Sequence, residues 1–203
     1  LFTHISVIFY ERETRDMQYI SDVTVLNPFL RIHDQLDRTY AALAILEMCH
    51  RAIHANEDCR AFFNLLVRTL EGLDQSTNRP MNGFLYFMQQ MAENLGFKME
   101  FDRCDYCENV LDHRTHCFNV ERGRVVCENC PPSLQTFQGR GELSKESLAV
   151  LAQMARSKGH GIYNIAMTDK TRNEMYFLLL KHLQYHIEEL NQLNTLPFLK
   201  VTT

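Results

Sequence analysis

No run of apolar residues in this 203-residue chain approaches the roughly 18 needed to cross a bilayer, so no membrane-spanning helix is expected. No charged-then-apolar stretch reads as a leader ahead of a cleavage site, which points to a cytoplasmic, reducing setting. The usual catalytic frames are missing too. There is no Gly-x-Ser-x-Gly elbow, no glycine-rich loop carrying the Lys-Ser/Thr of a phosphate cradle, and no constellation of Asp and Glu suited to metal catalysis. Internal repeats and low-complexity tracts are absent. What remains is 45% apolar and 10% aromatic, the composition of a folded chain rather than a disordered one, with no visible apparatus for an enzyme.

The net charge of −4 argues against an evenly basic nucleic-acid binder. Its distribution says more. Residues 101–130 carry four Arg against six acids, whereas residues 131–203 carry eight Lys/Arg against six acids. A phosphate contact is therefore expected in the C-terminal third.

The chain opens without methionine on a strand-like run, Leu1 to Tyr10, and reads as a piece of a longer protein. Residues 2–9 and 17–25, around the polar turn Glu11 to Asp16, predict an antiparallel hairpin. From there the period turns helical. Leu43, Leu46, Cys49 and Ile53 mark one helix, and Phe62, Leu65, Leu66, Leu70 and Leu73 mark a second. A third should start at Pro80, present Phe84, Phe87, Met88, Met91 and Leu95, and stop at Gly96. Ser144 is the expected N-cap of a helix presenting Leu148, Leu151 and Met154, and a last helix is expected from about Thr171 to Leu193. The fold class is thus mainly α with a small β part.

Between these helices lie two knuckles, Cys104-x2-Cys107 and Cys127-x2-Cys130, 19 residues apart. Each turns the backbone so that two sulfurs face one point, and together they form the closed tetrahedral set that structural zinc accepts. Two disulfides or four free thiols are the alternatives. Cys49 and Cys59, within helical segments, read as small buried apolar residues. The strands Thr115–Val120 and Arg124–Val126, turning at Gly123, would return the second knuckle to the first. His113, His116 and Cys117 lie close enough to substitute for a ligand, although Cys117 reads better as an inward strand residue.

Two other groups invite a functional reading. His182 and His186 have the i, i+4 spacing of zinc hydrolases, but the run His182-Leu-Gln-Tyr-His186 lacks the glutamate after the first histidine, so a surface pair is expected. The loop from Ser157 to Arg172 is long and glycine-bearing. With its flanks it carries Arg156, Lys158, His160, Lys170 and Arg172, a candidate patch for DNA phosphate or an acidic peptide.

The order of parts is distinctive: a hairpin, leucine-rich helices, Leu95-Gly96-Phe97 leading to Asp102-Arg103-Cys104, the knuckle Cys127-Glu-Asn-Cys130-Pro, and a helix start at Leu143-Ser144. It resembles the bacterial recombination mediator family RecO over essentially the whole chain. The resemblance implies that residues 1–27 are the last hairpin of a truncated OB-fold. Residues 28–100 and 131–203 would form a helical domain, with 101–130 an inserted zinc module. It implies a DNA repair role: binding single- and double-stranded DNA, annealing strands, and working with RecR to load RecA onto DNA coated by single-strand-binding protein, whose acidic C-terminal tail family members bind. Two competing readings are a zinc-stapled interaction domain with no nucleic-acid role, and a metal-dependent nuclease built on His182 and His186.

Overall fold

The computed structural model describes residues 2–53, 59–76, 79–111, 116–131, 133, 139–157 and 159–199, excepting the side chains of 159 and 160. The first β-branched and aromatic runs form strands β1 (His4–Tyr10) and β2 (Tyr19–Asn27), paired antiparallel. The Gln18 amide closes their turn by donating to the carbonyls of Arg12 and Arg15. Beyond His4, whose ring meets Phe63 edge-on, little of this ribbon is covered by the described residues. Ile8, Phe9, Tyr10, Tyr19, Ile20, Val23 and Val25 are all exposed, although two strands alone are marginal in water.

Six α-helices follow among the described residues: α1 (Leu30–Asp34), α2 (Leu36–Ala52), α3 (Arg60–Gln75), α4 (Pro80–Asn94), α5 (Lys145–Arg156) and α6 (Asp169–His186). With two small sheets, they make the chain mainly helical, as its periodicity predicts. None is long and apolar enough to cross a membrane. α4 is the central helix. Apolar nearly all round, it buries Phe84, Leu85, Phe87, Met88, Met91 and Ala92 against α2, α3, α5 and α6. It begins at Pro80 and ends as its sequence demands, with Gly96 in the left-handed region (φ 87°). There the Phe97 amide donates to the Ala92 carbonyl and the Gly96 amide to Glu93, the pairing of a Schellman cap. The side chains of Ser144 and Thr168 cap α5 and α6 by accepting from the amides of Ser147 and Thr171.

The last helix is shorter than its apolar spacing predicts. α6 stops at His186, Ile187 turns to an extended conformation, and residues 188–192 continue as a 3-10 turn that still buries Leu190. The departure lets the chain fold back onto α2. There Glu47 accepts from the amides of Asn194 and Thr195 and from the Thr195 hydroxyl at 2.7–3.0 Å. Short α1 was not foreseen, because its five residues carry too little periodicity. Its first turn is held from outside, by the Asp74 carboxylate accepting from the amides of Arg31 and Ile32.

The loop after α5 is pinned rather than open. Residues 159–164 form a 3-10 turn, and the buried Tyr163 ring sits between Gly72 of α3 and Gly83 of α4. A Cβ at either glycine would lie 2.5 Å from a Tyr163 atom, so both helices need glycine at the slot. The Tyr163 hydroxyl donates to the Thr69 carbonyl, and the Asn82 amide donates to the carbonyls of Ile162 and Ile165.

A second sheet follows α4, with strand order β3 (Glu100–Cys104), β5 (Arg124–Val126), β4 (His116–Asn119), β6 (Arg140–Leu143). β3 and β5 are parallel, and the other two pairings are antiparallel. The sheet thus reaches beyond Cys130 to the start of α5. Phe101, Phe118, Val125 and Leu143 join it to the helical core.

Gly83→Ala is expected to destabilise the protein by about 1–3 kcal/mol, the usual cost of overpacking, as read by urea denaturation. Glu47 supplies a pH signature. Burial pushes its carboxyl up, but the bonds from Asn194, Thr195 and Arg51 outweigh it and hold the pKa down to about 2 from 4.5. A depressed carboxylate stabilises the fold above the unfolded value and loses that contribution as pH falls through the folded one. Melting temperature should therefore drop between about pH 4.5 and 2 in the wild type. Glu47→Gln should be less stable at neutral pH and flatter across that window.

Candidate metal centre

The turn after β3 places Cys104 and Cys107, and the turn after β5 places Cys127 and Cys130. Because β3 and β5 are neighbours, both knuckles leave the sheet at the same end. Local hydrogen bonds shape the first. The Cys104 amide donates to the Asn109 carbonyl, the Glu108 amide donates to the Cys104 carbonyl, and Glu108 takes a left-handed conformation (φ 57°) to close the loop. The Cys127 amide points at the Cys104 sulfur from 3.3 Å.

The four Sγ atoms lie within 4.8 Å of one another. Cys104 and Cys130 are 3.7 Å apart, and Cys107–Cys127 and Cys127–Cys130 are each 3.6 Å apart. These separations exclude disulfides, which need about 2.05 Å between sulfurs. They match a tetrahedron around a metal with bonds of about 2.3 Å, whose edges are roughly 3.8 Å. The donor set therefore fits a closed, four-thiolate structural site. Cys104, Cys127 and Cys130 are buried and Cys107 is exposed.

The sulfurs are not equivalent. Burial pushes the Cys104 thiol up, yet amides of Cys107, Cys127 and Tyr106 pointing at it win and hold it at about 6. Burial and the neighbouring thiols push Cys130 well above its ordinary value, a charge-crowding that a bound cation would relieve. His116 and Cys117 are buried on β4 outside the four-cysteine group, with Cys117 packed inward as its strand position predicts. His113 lies outside the described residues.

Sequence reasoning overlooked the groups that brace the knuckle. The Asp105 side chain, 6% exposed, holds Arg122 at 2.9 Å and Arg124 at 3.7 Å, and Arg122 lies over the Tyr106 ring. Asp105 and Tyr106 lie in the first knuckle, Arg122 in the β4–β5 turn and Arg124 in β5, so no spacing announces them.

The expected surface pair holds in part, since His182 is buried while His186 is half-buried. His182 is 1% exposed, with Nδ1 2.6 Å from the Val120 carbonyl oxygen and Nε2 2.8 Å from that of Phe97. His186 Nε2 lies 2.9 Å from the Glu121 carbonyl oxygen, and its ring stacks on Phe97 at 4.2 Å. The i, i+4 spacing brings both rings to one face of α6, where the β4–β5 turn docks. Three of the four ring nitrogens, both of His182 among them, are spent on backbone carbonyls. Burial pushes the His182 pKa down, against the pull of the two carbonyls.

The candidate basic patch is spread out. Arg156 pairs with Asp102 at 3.2 Å and lines a cleft between α4, β3 and α5. Arg172 pairs with Asp169 at 2.6 Å and lines a different cleft with Arg79. Lys170 is exposed, while Lys158 and the His160 side chain lie outside the described residues.

A family described as recombination protein O C terminal matches residues 33–196. The chain is also similar to DNA repair protein RecO of Syntrophomonas wolfei, with 24% identity over 180 residues, covering 88% of this chain and 68% of that protein. It is similar to DNA repair protein RecO of Chloroherpeton thalassium, with 22% identity over 191 residues, covering 92% and 73%. DNA repair protein RecO of Salinibacter ruber is 23% identical over 186 residues, covering 92% of this chain and 69% of that protein.

Cys127→Ser is expected to lose its metal and to melt at lower temperature. Elemental analysis showing full metal content with unchanged melting would contradict the site. His182→Ala strands the buried carbonyls of Phe97 and Val120 and should cost about 2–3 kcal/mol by urea denaturation, with the four-cysteine site still loaded.

Proposed function

The chain belongs to the RecO family of DNA repair proteins, and from that premise we propose that it is a non-enzymatic recombination mediator. In this reading it binds single- and double-stranded DNA and anneals complementary strands. With RecR it helps load RecA onto DNA coated by single-strand-binding protein, whose acidic tail it also contacts. The observation that carries the proposal is the match of the family across residues 33–196, the region that holds both the helical bundle and the four-cysteine group.

The metal is zinc, held by Cys104, Cys107, Cys127 and Cys130. A four-thiolate set with sulfurs at tetrahedral spacing favours it, and a full coordination shell leaves no open position for chemistry. Its role is to couple metal binding to folding of the module. Residues 1–27 are the last hairpin of an OB-fold, which accounts for a two-stranded ribbon with both faces largely bare. The helical domain comprises 28–100 and 131–203, with 101–130 as the inserted zinc module. The setting is the bacterial cytoplasm.

The test is binding to a fluorescent single-stranded oligonucleotide across a salt series, with the tail peptide of single-strand-binding protein as a second ligand and RecR as a third. Affinity that falls as salt rises, together with peptide and RecR binding, is the expected result. Absence of all three would favour a zinc-stapled interaction domain without a nucleic-acid role.

A further inference from the structure

A cleft of about 520 Å³ lies between α3 and α4, and its described lining includes none of the four cysteines and neither Arg156 nor Arg172. α3 contributes Asn64, Arg68 and Glu71, and α4 contributes Tyr86, Gln90 and Asn94; the wedged Tyr163 forms part of the wall. Its volume falls within the range of small-ligand sites.

Arg51, Arg122, Arg124, Arg156 and Arg172 have carboxylate partners, whereas Arg79 and Arg103, like Arg68, donate to backbone carbonyls. Arg68 forms no ion pair among the described residues; its Nε donates to the Asn64 backbone carbonyl at 3.2 Å, leaving both terminal nitrogens to face a ligand. The three primary amides also keep capacity. Asn94 donates to the Gln90 carbonyl and Gln90 reaches Glu93 at 3.4 Å, but their amide oxygens accept nothing among the described residues, and the Asn64 amide is wholly open.

We propose that this cleft binds one nucleotide unit of single-stranded DNA, with Arg68 on a phosphate, Tyr86 stacking a base and the amides of Asn64, Gln90 and Asn94 reading its edge. The inference rests on the DNA-binding reading above and gives it a location. A guanidinium with two free nitrogens matches phosphate oxygens. Carboxamides offer the paired donor and acceptor that base edges require, and an aromatic ring supplies sequence-tolerant stacking. An acidic peptide fits less well, because it brings neither a planar base for Tyr86 to stack on nor base edges for the carboxamides to pair with. With one charge of each sign, the site draws on stacking and amide pairing more than on net charge, which suits a chain whose overall charge is −4.

The experiment is anisotropy of a labelled oligodeoxynucleotide titrated with the full chain over a salt series, with thermal melts as fold controls. Arg68→Ala should weaken binding roughly fivefold and make the salt dependence shallower by about 0.7, the share of one phosphate on a single strand. Tyr86→Leu should weaken binding roughly tenfold, as loss of one stacked base does. Lys145→Ala, on the exposed first turn of α5, should change neither. Ultraviolet crosslinking to a bromouracil oligonucleotide should mark the peptide containing Tyr86, a readout that survives if the leucine variant misfolds. Wild-type binding with unaltered affinity and salt slope in Arg68→Ala, and no crosslink on α4, would overturn the cleft assignment alone. Wild type that binds no DNA at any salt would overturn both readings. Loss of acidic-peptide binding in Arg68→Ala with DNA binding intact would reassign the cleft to a peptide.

Discussion

The imidazole of His182, shut off from solvent between the carbonyls of Phe97 and Val120, joins the cysteine-bearing sheet to the helical bundle. Phe97 ends the segment that leaves α4, Val120 begins the turn between β4 and β5, and His182 sits on the helix that closes the core. One side chain thus ties three segments far apart in sequence. A ring with carbonyls at both nitrogens is fully satisfied only when doubly protonated, yet burial opposes the charge, so the joint works as a compromise between hydrogen bonding and desolvation. Gly123 fits the same junction. A Cβ there would lie 3.0 Å from the His182 ring, and its positive φ is open to glycine at little cost.

The metal centre depends on that joint in one direction and supports it in the other. Four sulfurs at tetrahedral spacing order the loops at one end of the β3–β5 pair, while His182 and His186 hold the turn at the other end against α6. Without the metal, crowding of buried thiols would favour their neutral forms and relax the knuckles. Without the histidine contacts, the sheet would keep its four-cysteine cluster and lose its fixed orientation on the bundle. Asp105 lies between these extremes, since its carboxylate anchors Arg122 from the turn and Arg124 from β5 directly beside a metal ligand.

What was legible in the sequence is what local periodicity encodes. The apolar faces of α3, α4 and α5, the N-cap at Ser144, the stop at Gly96 and the convergence of the four cysteines all follow from spacing within a few turns of chain, whereas α2 buries Ala41, Ala44, Ile45 and Met48 beside Cys49 and leaves the expected Leu43 and Leu46 half-buried. What was illegible depends on contacts across long separations. Glu47 meets Asn194 and Thr195, Tyr163 enters a slot made by Gly72 and Gly83, and His182 meets Phe97 and Val120. His182 carried the clearest misdirection. Its spacing to His186 is the signature of a metal site, and its polarity favoured the surface, but neither reveals that two backbone carbonyls await it. The shortened α6 has the same origin, because the pattern continues through Ile187 and Leu190 while the chain turns back to reach Glu47.

Charge pairing bears on where such a chain can meet a phosphate backbone. A guanidinium already beside a carboxylate must trade one partner for another. At exposed pairs such as Arg156–Asp102 the forfeited contact is worth only about 0–1 kcal/mol, so the trade is feasible but gains little, and the displaced acid then repels the incoming phosphate. An unpaired guanidinium faces no such exchange. The relevant inventory is therefore not the Lys and Arg excess of any segment but the subset left uncommitted by the fold. Counting charges along the chain directs attention to residues 131–203. Among the guanidiniums without a carboxylate partner, Arg68 is set in the α3–α4 cleft, where the surrounding carboxamides also offer the pairing geometry that point charges lack.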